Sequence, residues 1–330
     1  MLKIALTGLG NIGRMHLEQW DKMDECEVVG ITGRNQEKAK RMAEEFNTTF
    51  FPDLQNLLNS VEVDAVDICL PTFLHYQSAK EAAESGKHVV CEKPLGLNVK
   101  ESKEIVDLCK RQNVQLYVGH TLRFFPEYVN AHEQIKSGAI GKTGVVRLSR
   151  GTPFPGKDGS WYADSDKSGG VVYDLGIHDF DWLIWTFGDV KRVMAKQVKN
   201  DAGERVDYTL VTLRMGNGTV AHVELSWAKT ELETSFEIAG EKGMLVNTSQ
   251  DSQPLIVQAE EDDGEESYLP ESLVGDPPLY AQLKHFKNCI LHGEEPIITG
   301  DDAFKAVKTA AAVNQSIKKN QPVEIGGTNG

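Results

Sequence analysis

Over the first 120 residues, apolar side chains fall in short, nearly unbroken runs, separated by stretches in which they recur every three or four positions. The runs at 3–7, 28–32, 65–70, 88–91 and 115–118 are rich in Val, Ile, Leu and Ala, as strands covered on both faces should be. The stretches at 36–46, 76–85 and 99–112 read as helices, and Gly86 stands where the second of them should reach its C-cap. Strands that alternate with helices predict a parallel, doubly wound sheet.

After about residue 120 the pattern changes. Extended segments at 144–150, 190–198, 208–215, 219–227, 235–239 and 255–258 follow one another, with turn signals such as Gly216-Asn217-Gly218 between them. Most have no long helix between them, which predicts a large, mostly antiparallel, open sheet. Helices are expected at 174–187, 280–292 and 301–319, the last packing back on the first domain. The acidic run at 260–266 reads as a solvated loop.

Between the first run and the first helix lies Gly8-Leu9-Gly10-Asn11-Ile12-Gly13, a G-x-G-x-x-G pattern. Alone it is weak. Here it follows a predicted strand, opens a helix from Ile12 to about Trp20, and begins a strand–helix–strand unit that ends at 28–32. Gly8 permits a tight turn, Gly10 lets the backbone approach a pyrophosphate, and Gly13 lets helix and sheet pack closely. The helix N-terminus, at Asn11 and Ile12, offers unpaired N–H groups to the phosphates. The expected fold is therefore α/β, with an N-terminal Rossmann dinucleotide-binding domain over 1–120. A C-terminal α+β substrate domain over 121–330 carries the open sheet.

The second strand bears on which dinucleotide is bound. An NAD site usually places Asp or Glu about 20 residues beyond the glycines to hold the ribose 2′-hydroxyl. This chain has Thr32-Gly33-Arg34-Asn35 there, without a carboxylate. A guanidinium can pair with a 2′-phosphate and lie over the adenine. NADP is favoured over NAD on this ground, while Arg34 as a solvated loop residue, with NAD accepted too, stays open.

Charge and composition narrow the partners. The 330 residues suffice for two domains with separate cores. A net charge of -14 would repel nucleic acid and anionic membranes, and no run of Lys and Arg exceeds two residues. No apolar stretch approaches the roughly 20 residues that span a bilayer. The N-terminal apolar run enters a glycine turn without a cleavage-type site, so a strand is expected there and no signal peptide. The five cysteines are odd in number, widely spaced and without a C-x-x-C pair. They fit reduced thiols in a cytoplasmic protein, and no Cys/His set has metal-ligand spacing, so no metal is expected. A small-molecule substrate remains.

Two segments carry candidate chemistry. Glu92-Lys93-Pro94 follows the run at 88–91, at the carboxyl end of a parallel strand, where ligands bind in open α/β sheets. The proline holds Lys93 in an extended or turn conformation, so its ammonium can project into a crevice. A surface lysine is the other reading. Asp174 and His178 are four apart at the start of the helix at 174–187, hence on one face, and Asp181 extends the polar stripe beside Trp182 and Trp185. A capping Asp and an exposed His would look the same.

Four segments together resemble the glucose-fructose oxidoreductase/inositol dehydrogenase (Gfo/Idh/MocA) family. They are Gly8-Leu9-Gly10-Asn11-Ile12-Gly13-Arg14, Cys91-Glu92-Lys93-Pro94-Leu95, residues 119–128 (from Gly119-His120 to Glu127-Tyr128) and residues 169–179 (from Gly169-Gly170 to His178-Asp179). They stand in order and correctly spaced across residues 1–190. The resemblance implies a catalytic group of Lys93, Asp174 and His178, with Pro71, Thr72, His75, Glu92 and Pro94 seating the nicotinamide end. It also implies sugar, inositol or related polyol substrates, and assembly as a homodimer or homotetramer through the exposed face of the C-terminal sheet. The mechanism is then alcohol oxidation with His178 as base and Lys93 stabilising the developing alkoxide, while Asp174 holds substrate or orients the other two.

One position departs from the family pattern. Many relatives carry two basic residues where this chain has Leu122-Arg123, so one contact to a polar substrate group is in doubt. Arg123, Trp161 and Tyr162 are further pocket candidates, although two aromatic residues in a loop can simply anchor it. Two alternatives remain: a dinucleotide-binding sensor without turnover, and a hydrolase or epimerase in which held NAD oxidises and then re-reduces the substrate. Intact Lys93, Asp174 and His178 argue against the first.

Overall fold

The computed structural model describes residues 1–156, 160–199, 207–249 and 276–326. The expected strand at 255–258 and the acidic run at 260–266 lie outside the described residues. Inter-residue contacts divide the chain into two units. One holds Met1–Phe124, Asp166–Ser168 and Pro278–Val307; the other holds the described residues of Phe125–Ser165, Gly169–Pro277 and Lys308–Gly330.

The first unit opens with β1 (Leu2–Thr7), α1 (Asn11–Asp21), β2 (Cys26–Thr32), α2 (Gln36–Glu45), β3 (Phe50–Phe51) and α3 (Leu54–Ser60). It continues through β4 (Ala65–Ile68), α4 (His75–Glu84), β5 (His88–Cys91), α5 (Val99–Gln112) and β6 (Leu116–Val118). The sheet order is β3-β2-β1-β4-β5-β6, with every pairing parallel. The continuous apolar runs have the expected reason: Ile4, Leu6, Val66, Ile68 and Val89 are all buried at 1% exposure or less. The capping signals are also realised. Asn98 accepts from Glu101 N–H at the start of α5, and Gly86, with φ at 71°, ends α4. Pattern reading did not foresee β3 and α3, which are too short to show a period.

The second part of the chain adds α6 (Pro126–Lys136), β7 (Thr143–Pro153), α7 (Ser165–Ser168), α8 (Ile177–Phe187), β8 (Val190–Lys199), β9 (Asp207–Met215) and β10 (Val220–Ser226). Next come β11 (Ala228–Gly240), β12 (Gly243–Thr248), α9 (Pro278–His292), α10 (Gly300–Lys319) and β13 (Val323–Glu324). The seven-stranded sheet runs β12-β11-β7-β10-β9-β8-β13. Its pairings are antiparallel except β7 with β10. Along β9, Asp207, Thr209, Val211, Leu213 and Met215 are buried while Leu210 and Arg214 are exposed, the alternation of a sheet covered on one face.

Helix α9 follows the second unit in sequence but belongs to the first. Leu283 and Phe286 are fully buried in the cluster that includes Leu17, Trp20 and Tyr117, and the Phe286 and Tyr117 rings stack at 5.1 Å. The first turns of α10 join the same unit, where a Cβ on Gly300 would lie 3.0 Å from Leu116. Later turns join the second unit, with Ser316 accepting from Ala195 N–H at 3.0 Å. All five cysteines are free thiols, and no described helix is long and apolar enough to cross a membrane.

Candidate active site

In the first unit the glycine-rich turn joins β1 to α1. Gly8 has φ at 99°, and a Cβ on Gly13 would lie 1.9 Å from Gly8 O, so neither position admits a side chain without displacement. Helix α1 starts without a side-chain cap at Gly10 and without an acidic residue in its first turn. By contrast α2, α3 and α5 are capped by Asn35, Asp53 and Asn98. The first N–H groups of α1 therefore await an external acceptor, and a Cβ on Gly10 would meet nothing within 4 Å. Asn11 and Ile12 are exposed beside them, Ile12 at 42%. These residues fit a dinucleotide pyrophosphate. At the end of β2, Gly33 packs on Leu9, Arg34 is exposed, and Asn35 caps α2 by accepting Lys38 N–H at 3.1 Å.

Two further turns lie on the same carboxyl edge. After β4, Pro71 leads into a single turn at Thr72–Leu74, where Thr72 is buried while Phe73 and Leu74 are partly exposed. His75 is buried, and its ring nitrogens lie 2.8 Å from Pro94 O and 2.7 Å from Leu70 O. Burial pushes its pKa below the ordinary histidine value, against the opposing pull of the two carbonyls. The ring thus ties the turn after β4 to the turn after β5. In that second turn the Lys93–Pro94 peptide is cis, and Lys93 N–H donates to Glu92 Oε2 at 3.1 Å.

Arg123 lies in a short turn at Thr121–Phe124 after β6 and is 2% exposed. Its guanidinium donates to Ile297 O at 2.7 Å and to Asp302 Oδ2 at 3.4 Å, fixing that turn to the segment between α9 and α10. Burial raises the Asp302 carboxyl, yet Arg123 and the Thr299 donors outweigh it and hold the carboxyl below its ordinary value. Leu122 is buried beside it.

In the second unit the helix expected over 174–187 is interrupted at its start. Val172–Gly176 forms a π-helical segment, and α8 proper begins at Ile177. Gly169 and Gly170, with φ at 74° and 70°, lead into it, and Gly176 packs closely on Leu225 and Phe180. Asp174 lies in the wide turn, half-buried, and its Oδ2 accepts Trp227 Nε1–H at 3.2 Å. The Phe154 ring meets Trp227 edge-on at 5.2 Å. His178, also half-buried, occupies the first turn of α8. Asp181 is fully buried, so the polar stripe expected at 174, 178 and 181 runs into the core. Trp161 and Tyr162 stack at 3.9 Å in a half-buried turn.

Beneath α8, Arg150 makes a two-pronged pair with Asp179: Nε to Oδ2 and Nη2 to Oδ1, each 2.9 Å. Nη2 also donates to Tyr128 Oη at 3.1 Å. Burial pushes the Tyr128 hydroxyl up to about 12. The structure therefore gathers Glu92, Lys93, Pro94, His75 and the Pro71–Thr72 turn within the first unit. In the second unit it joins Asp174 to Trp227 and Phe154. Pattern reading missed Trp227, Arg150 and Asp179 as supports of this region, as well as His16 and Asp67 in the first unit. The visible signal for Asp67 was a carboxylate inside an otherwise apolar strand, which needs a partner once covered.

Comparison with known proteins shows the family and the fold. A family model described as an oxidoreductase family with an NAD-binding Rossmann fold matches residues 2–120, and the GFO/IDH/MocA C-terminal domain matches residues 128–246. Myo-inositol 2-dehydrogenase of Thermotoga maritima is 28% identical over 98% of both chains. A 2,7-anhydro-N-acetylneuraminate hydratase of Mediterraneibacter gnavus is 26% identical over 97% of this chain and 96% of its own. Among solved structures, the scyllo-inositol dehydrogenase of Lactobacillus casei, with bound NAD(H) and scyllo-inositol, superposes with a TM-score of 0.84. It covers 98% of this chain and 99% of its own at 24% identity, a likeness of fold.

Proposed function

This chain belongs to the GFO/IDH/MocA family of oxidoreductases and carries its NAD-binding Rossmann domain, and from that premise we propose that it oxidises a hydroxyl of an inositol or sugar-like polyol. The observation that supports this most is the carboxyl edge of the first unit's parallel sheet. There the uncapped N-terminus of α1 follows β1 and the anchored Glu92-Lys93-Pro94 turn follows β5, two strands of one parallel sheet with β4 between them, and ligands of open α/β sheets bind at that edge.

The bound dinucleotide supplies the hydride acceptor. In this reading Gly8, Gly10, Asn11, Ile12 and Gly13 hold its pyrophosphate, and Gly33, Arg34 and Asn35 meet its adenosine end. Pro71, Thr72, His75, Glu92 and Pro94 shape the nicotinamide end. His178 removes the hydroxyl proton, since imidazole titrates near neutral pH. The Lys93 ammonium stabilises negative charge as it develops on the same oxygen. Asp174, oriented by Trp227, holds a neighbouring hydroxyl. The Trp161–Tyr162 stack offers an apolar face to the substrate ring, and Arg123 serves the pocket by fixing the turn at 121–124. The test is absorbance at the reduced-nicotinamide band with NAD or NADP and a panel of inositols, aldoses and sugar acids. Reduction with one polyol class is expected; silence across the panel despite dinucleotide binding would sink the reading.

The likeness to a hydratase favours one second reading, a closed cycle in which retained NAD oxidises and then re-reduces the substrate. Dinucleotide that survives purification, with product formed but no net absorbance change, would point there.

Arg34 sets the dinucleotide preference in our reading, toward NADP. Arg34→Asp is expected to lower the NADP-to-NAD ratio of kcat/KM by about 10- to 100-fold, the worth of a hydrogen bond between charged groups. An unchanged ratio would show that Arg34 does not face the 2′ position. Assembly is proposed as a homodimer or homotetramer through the open face of the second unit's sheet, where Val198, Leu210, Met244 and Val246 are 45–64% exposed. Light scattering should give a mass of two or four chains, and Leu210→Lys should reduce it. The free thiols suit a cytoplasmic protein.

A further inference from the structure

At the carboxyl edge of the first unit's sheet, largely buried side chains from three segments meet. His16 and Trp20 stand one turn apart on α1, Asp67 lies in β4 with Cys69 just after it, and Glu92 follows β5. His16 Nδ1 is 2.8 Å from Asp67 Oδ2, and its Nε2 is 3.2 Å from Glu92 Oε1. Trp20 Nε1–H donates to the same Asp67 oxygen at 2.7 Å, and the Cys69 thiol donates to Asp67 Oδ1 at 3.6 Å. The other oxygen of Glu92 accepts Lys93 N–H. Gly119 closes the remaining side, where a Cβ would fall 2.6 Å from Glu92 Oε1. His16 and Asp67 are 1% and 0% exposed, and the Glu92 side chain 13%.

Each ring nitrogen of His16 faces a carboxylate oxygen, and an imidazolium, which donates from both nitrogens, satisfies the two contacts at once. Burial opposes that charge, but Asp67 and Cys69 together outweigh it and hold His16 well above the ordinary histidine range. Burial likewise opposes the Glu92 carboxylate, which His16 and then Lys93 hold below its ordinary value. His75, placed between two carbonyls and not between two charges, is shifted the other way. Asp67, Cys69 and Glu92 face His16; His16, Lys93, His75, Cys69 and Cys91 face Glu92. Burial raises both thiols, which stay neutral. His16 is thus, among the described residues, the cation in hydrogen-bond contact with both carboxylates, and Asp67, His16 and Glu92 sum to one negative charge. His16, Asp67 and Cys69 are also close enough to surround a metal ion, but their polar atoms are turned onto one another and onto Trp20.

We propose that His16 is a positioning residue for the Lys93 site: its imidazolium, clamped between Asp67 and Glu92, fixes the Glu92 carboxylate and through it the backbone of Lys93. This rests on the reading of Lys93 as the group that faces the reacting oxygen. His16→Gln removes the cation and leaves two carboxylates opposed, a pair that retains a shared proton only at lower pH. Its kcat is expected about 100-fold below wild type, the effect of roughly 1 Å of misplacement. It should fall further as pH rises through neutrality, a limb absent from the wild type. In His16→Gln/Glu92→Gln the cluster returns to one negative charge, and the side-chain amide carbonyl introduced at position 92 can still accept Lys93 N–H. That variant should regain at least about tenfold in kcat and lose the extra limb, which loss of packing alone would not produce.

The experiment measures kcat against pH, KM and dinucleotide Kd for these two variants beside Lys93→Ala. A His16→Gln profile that superimposes on the wild type, with Lys93→Ala inactive, overturns the proposal alone. Turnover retained in Lys93→Ala overturns the reading of Lys93 on which it rests. Should the single variant fail to fold, the double variant decides. A folded double variant within tenfold of wild type supports the clamp; one as inactive as Lys93→Ala, or one that does not fold, overturns it.

Discussion

Lys93→Ala is expected to lower kcat by about 10²- to 10⁴-fold while dinucleotide Kd stays within about threefold of wild type, and His178→Ala to do the same. In the proposed mechanism the two residues act on one proton and one developing charge, so their effects belong to the chemical step and not to dinucleotide affinity. Lys93 follows β5 and is held through its own N–H by Glu92, so truncating its side chain leaves the turn in place. His178 lies at the start of α8, where alanine keeps the helix. If both groups serve the same transition state, the double variant should be scarcely worse than either single one. Titration of the dinucleotide by fluorescence alongside steady-state rates separates the outcomes. Loss of binding in both variants would contradict this division of labour, and retained turnover in either would remove that residue from the chemistry.

Asp179→Ala is expected to cost about 3–5 kcal/mol of stability, because it strands the Arg150 charge in the core. The pair is made through two 2.9 Å hydrogen bonds, with side chains 7% and 1% exposed. After the substitution Arg150 keeps, among the described residues, the hydrogen bond to Tyr128 Oη at 3.1 Å, a neutral acceptor. At about 2–4 °C per kcal/mol for a domain of this size, calorimetry should show a fall in Tm of about 6–20 °C. Arg150→Met/Asp179→Ala removes both charges and should be more stable than Asp179→Ala, since a buried pair replaced by apolar groups is often close to neutral. A double variant as unstable as the single one would place the cost in packing and not in the unpaired charge. Asp179 adjoins His178, so any folded Asp179→Ala should also turn over more slowly.

The sequence by itself determined whatever depends on neighbours along the chain. The nearly continuous apolar runs of β1, β2, β4, β5 and β6 specified a parallel sheet because strands covered on both faces are apolar at most positions and do not alternate. Gly8 and Gly13 were legible because the turn between β1 and α1 has no room for a Cβ, a local requirement. The succession of extended segments, with turns and few helices between them, specified a mostly antiparallel sheet for the same kind of reason. Tertiary structure decided the rest. Asp174 meets Trp227 across 53 residues, His16 meets Asp67 across 51 and Glu92 across 76, and Arg150 meets Asp179 across 29. No periodicity encodes such pairs, because each exists only once folding has removed water and brought distant polar groups together. The π turn at Val172–Gly176 and the return of α9 to the first unit have the same origin. Close contact of Gly176 with Leu225, and burial of Leu283 and Phe286 beside Trp20 and Tyr117, are set by surfaces that meet only in the folded chain.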